Sequence, residues 1–434
     1  MGKSLPVLLG MAIALVVGFV LGGRMMPAAG TAATAAGFAA VPGAVGSQDN
    51  SGPYDVVRGW PKDIGTLPGN EKWTWGSGQG VFAESPNRVY LLMRGMLPAT
   101  TGYQFRTVPE VGPGVHVPIN GAYRDATSAS IPGAGGMGQE PEDGPMLWRG
   151  ARPPYRQIGV DAKWENILVI VDANGNIVER WNQWDSMFVR PHVIYVNPYD
   201  PDKHVWVIDD HKHVIYKFSH DGKTIVQTIG TPGVKGADGT HFNRPTFIGW
   251  LPDSTMFVSD GYNGNRVVKL DKDGKFLLAW GEKGTPPNES RPNYMNNVHG
   301  IAVDPQAQEV YVNDRANHRI QVFDVNGKYL REWKITEDPS QIYVLYMGAD
   351  RKLWTGDGTN SKVASFDPQG HLLYAWGNRG IAPGNLWGIH GFHVDQEGNL
   401  YISEVNAGRV QKFRPRPGAN PDLLVSKPVY SAWQ

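Results

Sequence analysis

One order of residues recurs along the chain and constrains its fold more than any other feature. Met256-Phe257-Val258-Ser259-Asp260 is followed by Arg266-Val267-Val268-Lys269-Leu270-Asp271, by Asp273-Gly274-Lys275 and by Ala279-Trp280-Gly281. The same order returns as Val310 to Asp314, Arg319 to Asp324, Asn326-Gly327-Lys328 and Trp333. It returns again from Leu353 to Trp376, from Val205 to Lys223 and from Leu400 to Phe413. Each unit alternates β-branched and aromatic residues and is cut by Asp-Gly or Asn-Gly pairs, the signature of short antiparallel strands joined by hairpins. The marker acids Asp209, Asp260, Asp314, Asp357 and Glu404 are spaced by 51, 54, 43 and 47 residues. That is close to the period of a four-stranded propeller blade.

A sixth unit assembles earlier in the chain. Gly80-Val81-Phe82 and Val89 to Leu92 supply its inner strands, and Ile167 to Asp172 with Ile177 to Trp181 supply its outer ones. A Gly/Pro-rich insertion of about residues 95–157 separates them. Trp73-Thr74-Trp75 is expected to be the strand that closes the ring by completing the last blade. The reading is an all-β, six-bladed β-propeller over residues 71–415 with a tail at 416–434; a solenoid is the alternative, but the closing strand and the period favour a ring.

Composition excludes several functions. Lys+Arg and Asp+Glu both number 41, so no basic excess is available to neutralise phosphates and no nucleic-acid partner is expected. With no cysteine, disulfide scaffolds, thiolate zinc sites and cysteine nucleophiles are ruled out. The 54 Gly and 33 Pro read as turn punctuation, and the 15 Trp point to a repeated packing position between blades. Residues 1–27 carry Lys3, an apolar run from Leu5 to Leu21 and Arg24. They read either as a cleaved export signal or as a membrane anchor. Both put the body outside the cytoplasm, behind an Ala/Gly/Pro-rich linker and lead-in at 28–70.

The residue just before each innermost strand is comparable from blade to blade: Gln79, His192, Thr246, His299, Gln341 and His390. Innermost strands border the central channel, so imidazoles from alternate blades, about 120° apart, converge on the axis. Three nitrogen ligands with an open fourth position describe a catalytic zinc site, although three imidazoles suit iron or cobalt as well. His211, His213, His318 and His393 have no such partners and read as surface or structural. Asp209, Asp210 and Asp260 read as turn caps rather than general bases.

Val258-Ser259-Asp260-Gly261-Tyr262-Asn263-Gly264-Asn265-Arg266 resembles the tyrosine-bearing segment of the peptidyl-α-hydroxyglycine α-amidating lyases, six-bladed propellers of the NHL-repeat type. Asn296 to Val303, Val312 to Arg319, Arg190-Pro191-His192 and Val89 to Gly95 resemble that family too, so the match runs from about residue 75 to 415. The resemblance implies that His192, His299 and His390 bind zinc, that Tyr262 is the catalytic base or metal-linked hydroxyl, and that Arg94 contacts substrate. It implies a peptide or small-molecule substrate ending in a hydroxyglycine-like group, cleaved to an amide and glyoxylate. Gly391 stands where the family has an Asp tied to structural calcium, which argues against calcium here. Two other readings stand beside the lyase. One is a non-catalytic extracytoplasmic scaffold that uses a face or the 95–157 insertion to bind a protein partner; the other is a propeller lactonase or metal hydrolase.

Overall fold

Runs of β-branched and aromatic residues, cut by tight turns, pair with their nearest neighbours in sequence and build six four-stranded antiparallel sheets. The computed structural model describes residues 39–44, 48–99, 105–107, 116–118, 163–335 and 341–428. The apolar segment 5–21 and most of the 95–157 insertion lie outside the described residues. Among the described residues no helix is long and apolar enough to cross a membrane.

Blade one is Trp73–Ser85, Arg88–Pro98, Leu168–Val171 and Ile177–Arg180. Blades two to five follow in order, with innermost strands Pro191–Val196, Pro245–Trp250, Val298–Asp304 and Ile342–Met347. Blade six is Ile389–Val394, Leu400–Glu404 and Arg409–Pro415, completed on its outer edge by Tyr54–Val56. This corrects the expected closing strand. Trp73 to Trp75 extends the innermost strand of blade one instead. A three-residue strand is too short to show alternation. Tyr54 is held by tertiary contacts: its hydroxyl accepts the Val425 N–H at 2.8 Å and its ring packs against Trp376. The ring therefore begins at Tyr54, upstream of residue 71.

Second strands such as Val205–Asp209 and Met256–Asp260 are buried along their whole length. Outer strands such as Phe276–Trp280 alternate half-buried and exposed residues, as an edge with one wet face requires. The tryptophans pack between blades. Trp181 of blade one lies under the turn glycine Gly222 of blade two, and Trp333 of blade four under Gly370 of blade five. Both glycines have positive φ, and a Cβ there would come within 2.1 and 2.4 Å of the indole.

The marker acids are structural. Asp209 accepts the N–H of Arg190, Asp260 that of Asn243, Asp314 that of Asn296 and Glu404 that of Trp387. Each ties the end of a second strand to the backbone that leads into the innermost strand of its own blade. Three also pair across the next hairpin: Asp260 with Arg266 at 2.8 Å, Asp314 with Arg319 at 2.8 Å and Glu404 with Arg409 at 2.7 Å.

Candidate metal centre and active site

The lead-in held by each acid ends in a β-bulge. The register of innermost against second strand slips between Gly78 and Gly80, Pro191 and Val193, Pro245 and Ile248, Val298 and Ile301, Ile342 and Val344, and Ile389 and Gly391. A bulge re-aims the side chain inside it. The bulged residues include Gln79, His192, Thr246, His299, Tyr343 and His390. The fifth position is thus Tyr343 rather than Gln341, a shift of two residues, because Ile342 pairs with Asp357 and the bulged residue is the one that follows it.

His192, His299 and His390 come together, each with one ligand atom within 4.8 Å of the others. Their rings are 5.0, 4.6 and 5.2 Å apart, centroid to centroid. Two tautomers are fixed by the neighbouring blade. Nδ1–H of His299 donates to the Tyr343 carbonyl at 2.6 Å, and Nδ1–H of His390 donates to the Gln79 carbonyl at 2.7 Å. Each Nε2 is then unprotonated and carries a lone pair. Neither ring nitrogen of His192 has a hydrogen-bond partner among the described residues, although the ring is fully buried. Burial holds all three imidazoles neutral: it pushes His192 and His299 well below the ordinary value and His390 down to about 3, with neighbouring imidazoles or arginines adding to the effect. Neutral rings, two carbonyl-oriented lone pairs and one orphaned imidazole are what a divalent metal requires of three histidines.

Tyr262 sits on the hairpin after Asp260, and its backbone N–H and that of Gly261 both donate to the Arg244 carbonyl at 3.1 Å. A Cβ on Gly261 would lie 1.5 Å from the Val298 carbonyl oxygen, so only glycine lets this turn close onto blade four. The buried Tyr262 hydroxyl lies 3.0 Å from Nε2 of His299 and, by the tautomer above, donates to it. Arg94, near the end of the second strand of blade one, is buried. Its Nε donates to the Pro191 carbonyl at 3.2 Å, while Nη2 has no hydrogen bond among the described residues. Burial and the adjacent Arg190 push its guanidinium down to about 9 against the pull of Asp210.

The structure adds residues that sequence reasoning did not single out. The guanidinium carbons of Arg244, Arg190 and Arg315 lie 4.5, 5.2 and 5.3 Å from the Tyr262 ring centroid. Asp210, read as a turn cap, is instead the carboxylate that Arg244 and Arg190 approach. A signal existed: Arg190-Pro191-His192 and Arg244-Pro245-Thr246 repeat an arginine two residues before the axial position on successive blades.

The NHL repeat family model matches residues 295–323, which form most of blade four. Peptidyl-glycine alpha-amidating monooxygenase B of Xenopus laevis is 27% identical over 269 residues, 60% of this chain and 30% of that protein. Peptidyl-alpha-hydroxyglycine alpha-amidating lyase 1 of Drosophila melanogaster is 27% identical over 278 residues, 59% and 50% of the two chains. NHL repeat-containing protein 3 of Homo sapiens is 28% identical over 261 residues, 57% and 72% of the two chains. Six blades, an NHL repeat and an axial histidine trio define an NHL-type six-bladed propeller with a candidate metal site. Within that class the chain is a distant homologue of the peptidyl-α-hydroxyglycine α-amidating lyases, and it spans less than a third of the frog relative's length.

Proposed function

We propose that the protein is an exported lyase that holds zinc on His192, His299 and His390 and splits an N–C(OH) carbinolamide into an amide and glyoxylate. The observation that carries this reading is the meeting of two unprotonated Nε2 atoms, that of His299 accepting from the Tyr262 hydroxyl, with an orphaned third imidazole. Homology to proteins named as amidating lyases supports it. Held by these three histidines, zinc would supply a Lewis acid that lowers the pKa of the substrate hydroxyl and stabilises developing negative charge.

The chain's own groups bind substrate and move its proton. Arg94 takes the hydroxyglycine carboxylate on its guanidinium fork. A metal held on Nε2 of His299 would take the present acceptor of the Tyr262 hydroxyl and leave that hydroxyl to act on substrate. It relays the proton of the carbinol hydroxyl to the amide nitrogen. As the C–N bond breaks, its electron pair stays on nitrogen, and the carbinol carbon becomes the aldehyde carbon of glyoxylate. Delivery or tethering by residues 5–21, and a protein partner on the 95–157 insertion, belong to the same proposal.

Elemental analysis of the purified protein, together with glyoxylate release from a peptide ending in α-hydroxyglycine, tests the reading. About one zinc per chain with turnover upholds it. No metal after reconstitution, and no turnover, would reduce the three histidines to channel fillers and leave a propeller scaffold.

A further inference from the structure

The end of the channel opposite the histidines is a cavity of about 160 Å³ whose wall is contributed by successive blades, among them by Phe82, Tyr195, Trp250, Ile301 and Tyr346. Pro428 belongs to the same wall. The tail that leads to Pro428 crosses the face of the ring from rim to axis. Val425 is buried, and its N–H donates at 2.8 Å to the hydroxyl of Tyr54, on the outer strand of blade six. The Ser426 carbonyl accepts the Tyr346 hydroxyl at 2.9 Å, near the end of the innermost strand of blade five. Ser426 lies so close to Gly348 that a Cβ there would come within 2.1 Å of its Oγ. Nζ of Lys427 then reaches the Gln396 carbonyl, in the turn that leaves the innermost strand of blade six. Each contact is nearer the axis than the one before, and the next residue is on the cavity wall.

The chemistry of the tail changes where it meets the cavity. Residues 416–428 carry Arg416, Asp422 and Lys427. The six residues that follow, Val429-Tyr430-Ser431-Ala432-Trp433-Gln434, carry no charged side chain and hold two aromatic rings. Six residues span at most about 20 Å, so both rings stay within reach of the wall to which Pro428 is fixed. Moving large rings from water into an apolar site is favourable, and a tethered segment reaches that site at a high effective concentration. We propose that residues 429–434 occupy this cavity, with Trp433 as the anchor, and fill the axis at the end away from the metal centre. The channel is then entered from the histidine end alone. This goes beyond the lyase reading and does not depend on it.

The full-length protein tests it through the fluorescence of Trp433. Wild-type emission minus that of W433F isolates this ring among the 15 tryptophans. The difference spectrum is expected to be blue-shifted from that of the free hexapeptide with the sequence of residues 429–434, and several-fold less quenched by acrylamide. Emission and quenching equal to those of the free peptide would overturn the proposal; uptake of an apolar dye by the same protein would then give the cavity to a diffusible ligand. M347K places a charge on the cavity wall. In that background, again as a difference against W433F, the Trp433 signal is expected to return to the free-peptide values. An unchanged signal would mean that the ring is buried somewhere else, and the proposal would fall. Should M347K not fold, Y346F, which removes only the hydroxyl that holds Ser426, carries the same comparison. The blue shift is expected to survive dilution. A shift that fades on dilution, with dimers in sedimentation, would seat the ring in a second copy and overturn occupancy by the chain's own segment. W433A is expected to lower Tm by a few degrees with metal content unchanged, and an unaltered Tm would show that the ring is not buried at all.

Discussion

His390 and His393 lie on the same innermost strand, both are buried, and burial pushes both down to about 3, yet they are opposite kinds of histidine. His390 donates Nδ1–H to the Gln79 carbonyl and so leaves Nε2 bare at the axis. His393 accepts the Ala83 N–H on Nδ1 at 3.2 Å, so its proton sits on Nε2, and that nitrogen offers no lone pair. Their surroundings differ in the same way. The N-terminal ends of the innermost strands gather His192, His299, His390, Tyr262 and the arginines. The C-terminal ends gather Phe82, Ile248, Trp250, Ile301 and Tyr346 around His393. One end of the strands gathers charged and titratable groups and the other chiefly apolar side chains. What separates His390 from His393 is the neighbour that fixes each tautomer, not burial or pKa.

The sharpest way to break this contrast is at the polar end. His299→Ala is expected to remove metal and essentially all turnover while circular dichroism shows the β-fold retained; normal metal content would show that the trio is not the binding site. Tyr262→Phe removes only the hydroxyl. It should keep the metal and lower kcat by about 100- to 10,000-fold, the usual worth of a positioned proton-transfer group. Unchanged kcat would assign the proton relay elsewhere.

The apolar end should answer in stability alone. Phe82 packs on the His393 ring with centroids 4.0 Å apart and is almost fully buried. Phe82→Ala is expected to cost about 3 kcal/mol of unfolding free energy with metal stoichiometry unchanged, measured by denaturant titration and elemental analysis. A loss of metal would mean that the two ends are coupled. The smallest effect is the pH dependence carried by His393. Its folded pKa of about 3 lies below the ordinary histidine value, so between the two the unfolded chain binds more protons. Stability is then full above about pH 6.5 and falls as pH drops toward 3. This one group contributes a loss of about 2 kcal/mol by pH 5. His393→Gln should flatten that slope in urea unfolding curves; an unchanged slope would mean that His393 does not titrate on unfolding.

Much of this was legible in the residues. Period-two runs and Asp-Gly turns report strands and hairpins directly, and the acids at a regular spacing mark where each innermost strand begins. His192, His299 and His390 could be placed at one register because each follows its own blade's lead-in. The fifth blade misled by two residues: Gln341 follows the same lead-in, but the register slip that puts Tyr343 on the axis leaves no mark in the local pattern. Asp210 was mistaken for a second turn cap because its neighbour Asp209 is one. Its arginine partners lie 20 and 34 residues away along the chain, at the lead-ins of blades two and three, and no local pattern records the pairing.

By itself, then, the sequence determined the blade period, the strand order within blades, the inter-blade tryptophans and the three alternate-blade histidines. All of these follow from side-chain alternation and turn chemistry within a few tens of residues. Only the tertiary structure decided that Tyr54–Val56 closes the ring, that Tyr343 joins the axis, which imidazole nitrogens are bare, and that Arg94, Arg190 and Arg244 share one carboxylate. The tautomers and the Arg94 and Arg244 approaches to Asp210 depend on contacts between different blades, and the closing strand and Tyr343 on strand pairing that no local pattern fixes. Closing the ring brings such groups within hydrogen-bonding reach, and nothing in the local pattern of either partner records the other.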